Sequence, residues 1–167
     1  MTAAPLTWFD DEDVEGDEIP HVDHVVIRLG SGRYGLAAPD VAEVTPMPSL
    51  TRVPGTVAWL CGVGNWRGHV LPVVDLRPLL GLAVTPLPSS ARVVVVSVDD
   101  VEVGIVAEAV AGLVEVPLDC DPPPMTLTGT AADLVVGLAD GGPAGPVAVL
   151  ATAGLVALRG RAAARRS

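Results

Sequence analysis

Lysine is missing from this chain. All ten basic residues are arginine, against twenty Asp and Glu, for a net charge of −10 in 167 residues. A nucleic-acid backbone is excluded as the main partner, because that partner needs clustered cations. Aromatic residues are nearly absent too: three Trp, one Tyr and one Phe. The core must therefore be built from Val, Leu and Ala, and Val in particular favours strands. The two cysteines, Cys61 and Cys120, form neither a CxxC pair nor a secretory framework and read as buried thiols. Long hydrophobic runs are also lacking. The longest clean apolar stretch, 147–158, falls short of the ~20 residues that cross a bilayer. The acidic start shows no basic segment followed by an apolar one, so a cytoplasmic, soluble protein without membrane insertion is expected.

At 167 residues the chain is one domain's worth, able to bury roughly 70% of its unfolded surface. Residues 1–20 stand apart. Asp10, Asp11, Glu12, Asp13, Glu15, Asp17 and Glu18 repel one another and predict a disordered, solvated arm, with an electrostatic docking arm as the sharper alternative. Residues 160–167 form a basic tail: Arg161, Arg165 and Arg166 follow Arg159 and suit a helix C-terminus, the acidic arm or, least of all, anionic lipid. Between the tails, 21–159, turn signals recur every ~8–12 residues and delimit short strands. Expected strands are 22–29, 34–38, 41–47, 70–76, 92–98, 101–107, 110–116, 134–139 and 147–150. Asp99–Asp100 reads as a hairpin turn. A bend or helical turn is expected at 57–62, a single helical turn at 75–80 closed by Gly81, and a short helix at 152–159. The second half repeats the pattern of the first, which predicts an all-β sandwich or two small barrels of about five strands each.

Candidate chemistry is thin. Cys61, His69 and Asp75 could be drawn as nucleophile, base and orienter, but Cys61 lies in an apolar segment and Asp75 suits a capping role after a strand. His21, Asp23 and His24 lack the ligand number and spacing of a zinc site. Gly62, Gly64 and Gly68 do not make a phosphate loop. No catalytic residue, metal or cofactor is expected. Asn65, Trp66, Arg67 and Gly68, in contrast, put a large aromatic and an arginine at a turn, and those two residue types are enriched among interface hot spots.

That segment and its flanks resemble the CheW family. The run comprises Pro54, Gly62-Val63, Asn65-Trp66-Arg67-Gly68 and then Pro72-Val73-Val74-Asp75-Leu76-Arg77. Upstream stand Tyr34-Gly35 and Val41, Glu43 and Val44; downstream Gly104-Ile105-Val106, Val110 and Val136-Gly137-Leu138. Trp66 stands where the family usually has Leu, Gly64 where it has a branched residue, and Glu108 where Asp is common. The resemblance implies two intertwined five-stranded SH3-like β-barrels with short helical turns and a short C-terminal helix. It implies a non-catalytic adaptor with two partners, the regulatory domain of a CheA-type histidine kinase and the cytoplasmic tip of a chemoreceptor. The alternative is a binding module of the same fold outside any receptor–kinase array. Carried onto this chain, Val41, Glu43, Gly62, Asn65, Trp66 and Arg67 would form or back the receptor-facing surface, and Val110 and Leu113 a second-half contact surface. Arg67 is expected either to reach a partner or to pair internally with Glu43 or Asp75.

Overall fold

The computed structural model describes residues 19–164, with side chains to Ala162. The acidic arm, apart from Ile19 and Pro20, and the tail arginines Arg165 and Arg166 lie outside the described residues. Ten strands follow in order: β1 (His21–Leu29), β2 (Gly32–Ala37), β3 (Val41–Pro46), β4 (Leu60–Trp66), β5 (His69–Val74), β6 (Arg92–Val98), β7 (Val101–Ala107), β8 (Ala109–Pro117), β9 (Val135–Ala139) and β10 (Val147–Leu150). Two helices accompany them, α1 (Gly129–Leu134) and α2 (Thr152–Ala164), with single 3-10 turns at Ala38–Asp40 and Gly142–Ala144.

The strands make two five-stranded sheets, the first ordered β3-β6-β7-β5-β4 and the second β8-β1-β2-β10-β9. Each half of the chain places its first two strands in one sheet and its last three in the other, so neither half is a separate domain. The two ladders also match partner for partner. Val73 pairs Gly104 as Val149 pairs Gly35, and one residue is skipped at Cys61 as another is at Val136. A further bulge at Ala42 has its counterpart at Ala111. Beyond each edge strand the chain returns to the opposite edge, through the bridges Thr51↔Val63 and Asp121↔Leu138. These bridges curl each sheet toward the expected barrel, although the continuous ladder remains five strands wide.

Burial explains the valine runs. In β6, Val94 and Val96 face a core shared by both sheets and α2, while Val93 and Val95 face the interior of their own sheet with Trp66, Leu71, Val73 and Val106. A strand buried on both faces needs no polar alternation. Helix α2 covers the shared core with Leu155, Leu158 and Ala162, at helical spacing along one face.

Three expectations change. The segment expected to bend, 57–62, runs into strand β4; its glycines, Gly62 and Gly64, hid it because glycine carries no strand preference. Residue 134 closes helix α1 rather than opening a strand. Helix α2 continues past 159 to Ala164, into the segment expected as tail.

Candidate protein-interaction surfaces

The β4–β5 hairpin has a two-residue turn. Arg67 and Gly68 both take positive φ (52° and 80°), the type I′ geometry that suits twisted strands. Asn65 holds the turn, its Oδ1 accepting from the Gly68 N–H at 3.1 Å. Trp66, expected as an exposed contact, is instead buried in the interior of its sheet. Its Nε1 donates to Glu43 Oε1 at 3.2 Å, and Arg67 Nη2 donates to the same oxygen at 2.9 Å. The guanidinium also lies 4.8 Å from the centre of a Trp66 ring. Glu43 is on edge strand β3 and Trp66 on the opposite edge β4, so the cluster joins the two sheet edges. Arg67 remains 65% exposed. An ion pair this open contributes ~0–1 kcal/mol, so most of the guanidinium's donor capacity is left for a partner.

The other proposed receptor-facing residues sit differently. Val41 is half-buried against the shared core. Gly62 is buried at φ 148°, and a Cβ there would lie 2.7 Å from the Thr51 carbonyl oxygen. Its part is to let the chain at 50–51 close onto β4. On the second sheet, Val110 and Leu113 are exposed on edge strand β8, on either side of the bulge at Ala111 and Gly112. An unpaired edge with outward apolar side chains is a template for association.

A groove beside the hairpin was not legible in the sequence. Three cavities of about 440, 190 and 290 Å³ share lining residues and form one strip. The central one is apolar, walled by Val63, Val70 and Pro72 of the hairpin and by Arg159 and Ala162 of α2. One end is polar, with His69, Asp100 and Glu102; the other is the loop carrying Arg52. Val70 is 63% exposed on the outward face of β5, and that period-2 placement was the available signal.

The candidate chemistry does not assemble. Burial, then the charge of Asp75, push the Cys61 thiol up to about 11, which leaves it a poor nucleophile at neutral pH. His69 pairs with Glu102 at 3.3 Å, at the far end of β5 from Asp75. Asp75 is engaged by Arg77, whose Nε and Nη2 both donate to it. Arg77 Nη1 donates to Glu108 Oε2 at 3.0 Å and to the Thr85 carbonyl at 2.9 Å. Glu108 Oε1 accepts from the Gly30 N–H in the β1–β2 turn, so this buried network staples the two sheets. The hydrogen bonds it donates to Asp75, above all, raise the Arg77 pKa above its ordinary value. Near the N-terminal boundary, His24 is buried and donates from Nδ1 to the Val22 carbonyl at 2.9 Å, while His21 and Asp23 are exposed on the other face of β1. Among the described residues no group of three or more His, Cys, Asp or Glu could hold a metal ion. No helix among them is long and apolar enough to cross a membrane.

Two curled sheets with a shared core, an arginine-bearing turn and an open strand edge define an all-β binding scaffold. The family model of the CheW-like domain matches residues 23–159, and the chain belongs to that family. Protein PilI of Pseudomonas aeruginosa is 37% identical over 92 residues, 55% of this chain and 52% of PilI. Chemotaxis protein CheW of Bacillus subtilis is 36% identical over 86 residues, 51% of this chain and 55% of that protein. The chain thus spans about half the length of these two relatives. Protein FrzA of Myxococcus xanthus is 34% identical over 107 residues, 64% of this chain and 67% of FrzA. The crystal structure of scaffolding protein TtCheW from Thermoanaerobacter tengcongensis superposes with a TM-score of 0.70 at 26% identity, over 79% of this chain and 90% of that one.

Proposed function

We propose that this chain is a non-catalytic, cytoplasmic adaptor that couples the tip of a chemoreceptor to the regulatory domain of a CheA-type histidine kinase. The observation that carries the reading is the presence of two separate open surfaces on one CheW-like fold. One is the Arg67 turn with the neighbouring apolar groove on the first sheet; the other is the exposed edge β8 on the second. The groove suits one apolar face of a helix, and Arg67, in the turn of the same hairpin, can donate several hydrogen bonds to a carboxylate or to helix-end carbonyls. Val110 and Leu113 offer apolar area beside free strand donors and acceptors, which suits a second β-rich domain. The names of the relatives fit such a role: two are called chemotaxis or scaffolding proteins. The test is co-purification with the tagged chain from its native cell. A receptor and a histidine kinase should be retained together, and retention of neither would overturn the proposal.

A further inference from the structure

The apolar groove between the β4–β5 hairpin and helix α2 has no occupant among the described residues, yet the chain carries a segment of matching chemistry. Leu6, Trp8 and Phe9 precede the run of seven carboxylates from Asp10 to Glu18, with no basic residue in residues 1–18. In a chain with five aromatic residues, two stand side by side here. We propose that this N-terminal segment folds back over α2 and lays Leu6, Trp8 and Phe9 into the groove, so that it competes with any helix that binds there.

Charge and chain order agree with that path. The segment joins the fold at Ile19 and Pro20, where the Leu118 N–H donates to the Pro20 carbonyl on the second sheet. The groove lies on the first sheet, across α2. On α2, Arg161 donates to Thr130 Oγ1 at 3.2 Å, on the side facing α1 and the second sheet. Two residues earlier, on the opposite face of α2, Arg159 lines the groove and donates to the Glu102 carbonyl. Neither arginine is paired with a carboxylate side chain among the described residues. Leaving the fold, the segment thus presents its carboxylates first, where the arginines stand, and its apolar residues last, where Val63, Val70 and Pro72 wall the groove. The distance is accessible. The twelve residues from Phe9 to Pro20 span up to ~40 Å when extended, comparable to the diameter of a domain this size. Asp100 and Glu102 at the polar end of the strip would repel the carboxylates and leave the apolar centre as the seat.

The docking itself needs no partner for its test; only the competition rests on the adaptor reading. In the full chain, p-benzoylphenylalanine is placed at position 8 in place of Trp8, the dilute protein is irradiated and the cross-links are mapped by mass spectrometry. Intramolecular links to β4, β5 or the 159–162 turn of α2 are expected. They should fall about fivefold or more in Val70→Asp and in the pair Arg159→Glu with Arg161→Glu, and likewise at 1 M salt for the charge-dependent part. Unchanged melting temperatures show that the variants fold. Links scattered over the surface, confined to the second sheet, or formed only between two chains would overturn the proposal. A receptor-tip helical hairpin is then added. If it binds and suppresses the cross-link, the competition stands; if it binds and leaves the yield unchanged, the competition fails. If the cross-link persists but the hairpin does not bind even a full chain with Leu6→Ser, Trp8→Ser and Phe9→Ser, the adaptor reading fails and the docking survives.

Discussion

The two segments that follow the last strand of each half, β5 and β10, form junctions that occupy equivalent places and are built from opposite chemistry. After β5, the Asp75 N–H donates to the Trp59 carbonyl; after β10, the Ala151 N–H donates to the Leu134 carbonyl, each at 2.8 Å. At the first junction the next residues carry the buried Asp75–Arg77–Glu108 network. At the second they begin α2, and a Thr152 hydroxyl donates to Asp40. The backbone register is the same in both, so it does not depend on the charges. What the charged junction adds is a link between elements distant in sequence. Arg77, Thr85, Glu108 and Gly30 come from four segments that apolar packing alone would leave free to shift. Buried ion pairs often contribute little net stability against an apolar substitute, and fixing one arrangement is their best-attested use.

Removing one member of the charged network should have the largest effect. Arg77→Ala leaves two buried carboxylates without a counter-ion and should cost ~3–5 kcal/mol in urea unfolding. Replacing the network as a whole, with Asp75→Ala, Arg77→Leu and Glu108→Ala together, should recover most of that stability. If the triple variant unfolds as readily as Arg77→Ala, the register does depend on the charges. The paired glycines sharpen the comparison further. Gly62→Ala sets a Cβ against the backbone oxygen of Thr51 at positive φ and should cost ~2–4 kcal/mol. Gly137→Ala at the equivalent place meets the Cys120 side chain instead, and Cys120→Ala should rescue it in part. No side-chain change should rescue Gly62→Ala.

The neutral junction should respond less. Thr152→Ala removes one hydrogen bond to a partly exposed carboxylate, at a cost of ~1 kcal/mol in the same assay. The smallest effect is chemical. With its pKa raised to about 11 from an ordinary 9, the Cys61 thiol should alkylate roughly 100-fold more slowly at pH 8 than a free thiol. The sign for stability follows. The folded state holds this proton more tightly, so the contribution is intact below about pH 9 and is lost as the pH rises toward 11. Iodoacetamide labelling followed site by site checks the rate; labelling of Cys61 as fast as a model thiol would contradict the burial.

Much of this fold could be read from the residues, and the failures share a cause. The Asp99–Asp100 turn and the valine strands beside it were legible because turn chemistry and β-branched runs act locally. Strand β4 was not, since Cys61, Gly62, Val63 and Gly64 carry little local preference and become a strand only by pairing with β5. Helix α1 was hidden in the same way, its six residues too few to show a period. At the candidate site, the Arg67 turn and its Glu43 partner were within reach of the sequence. The burial of Trp66 was not, because it depends on β3 and β4 meeting across the sheet. The Arg77 network was overlooked for a related reason: Asp75 and Arg77 are neighbours, but Glu108 arrives from the other half of the chain.

Two independent surfaces on one chain carry the proposed coupling, and calorimetry on two variants tests them most directly. A receptor-tip fragment and a kinase regulatory domain are titrated separately into Arg67→Ala and Leu113→Asp. Both side chains are exposed, so melting temperatures should hardly move. Arg67→Ala should weaken receptor binding by ~1–3 kcal/mol and leave kinase binding unchanged, and Leu113→Asp should do the reverse. Loss of both partners from a single folded variant, or of neither from both, would contradict the two-surface account.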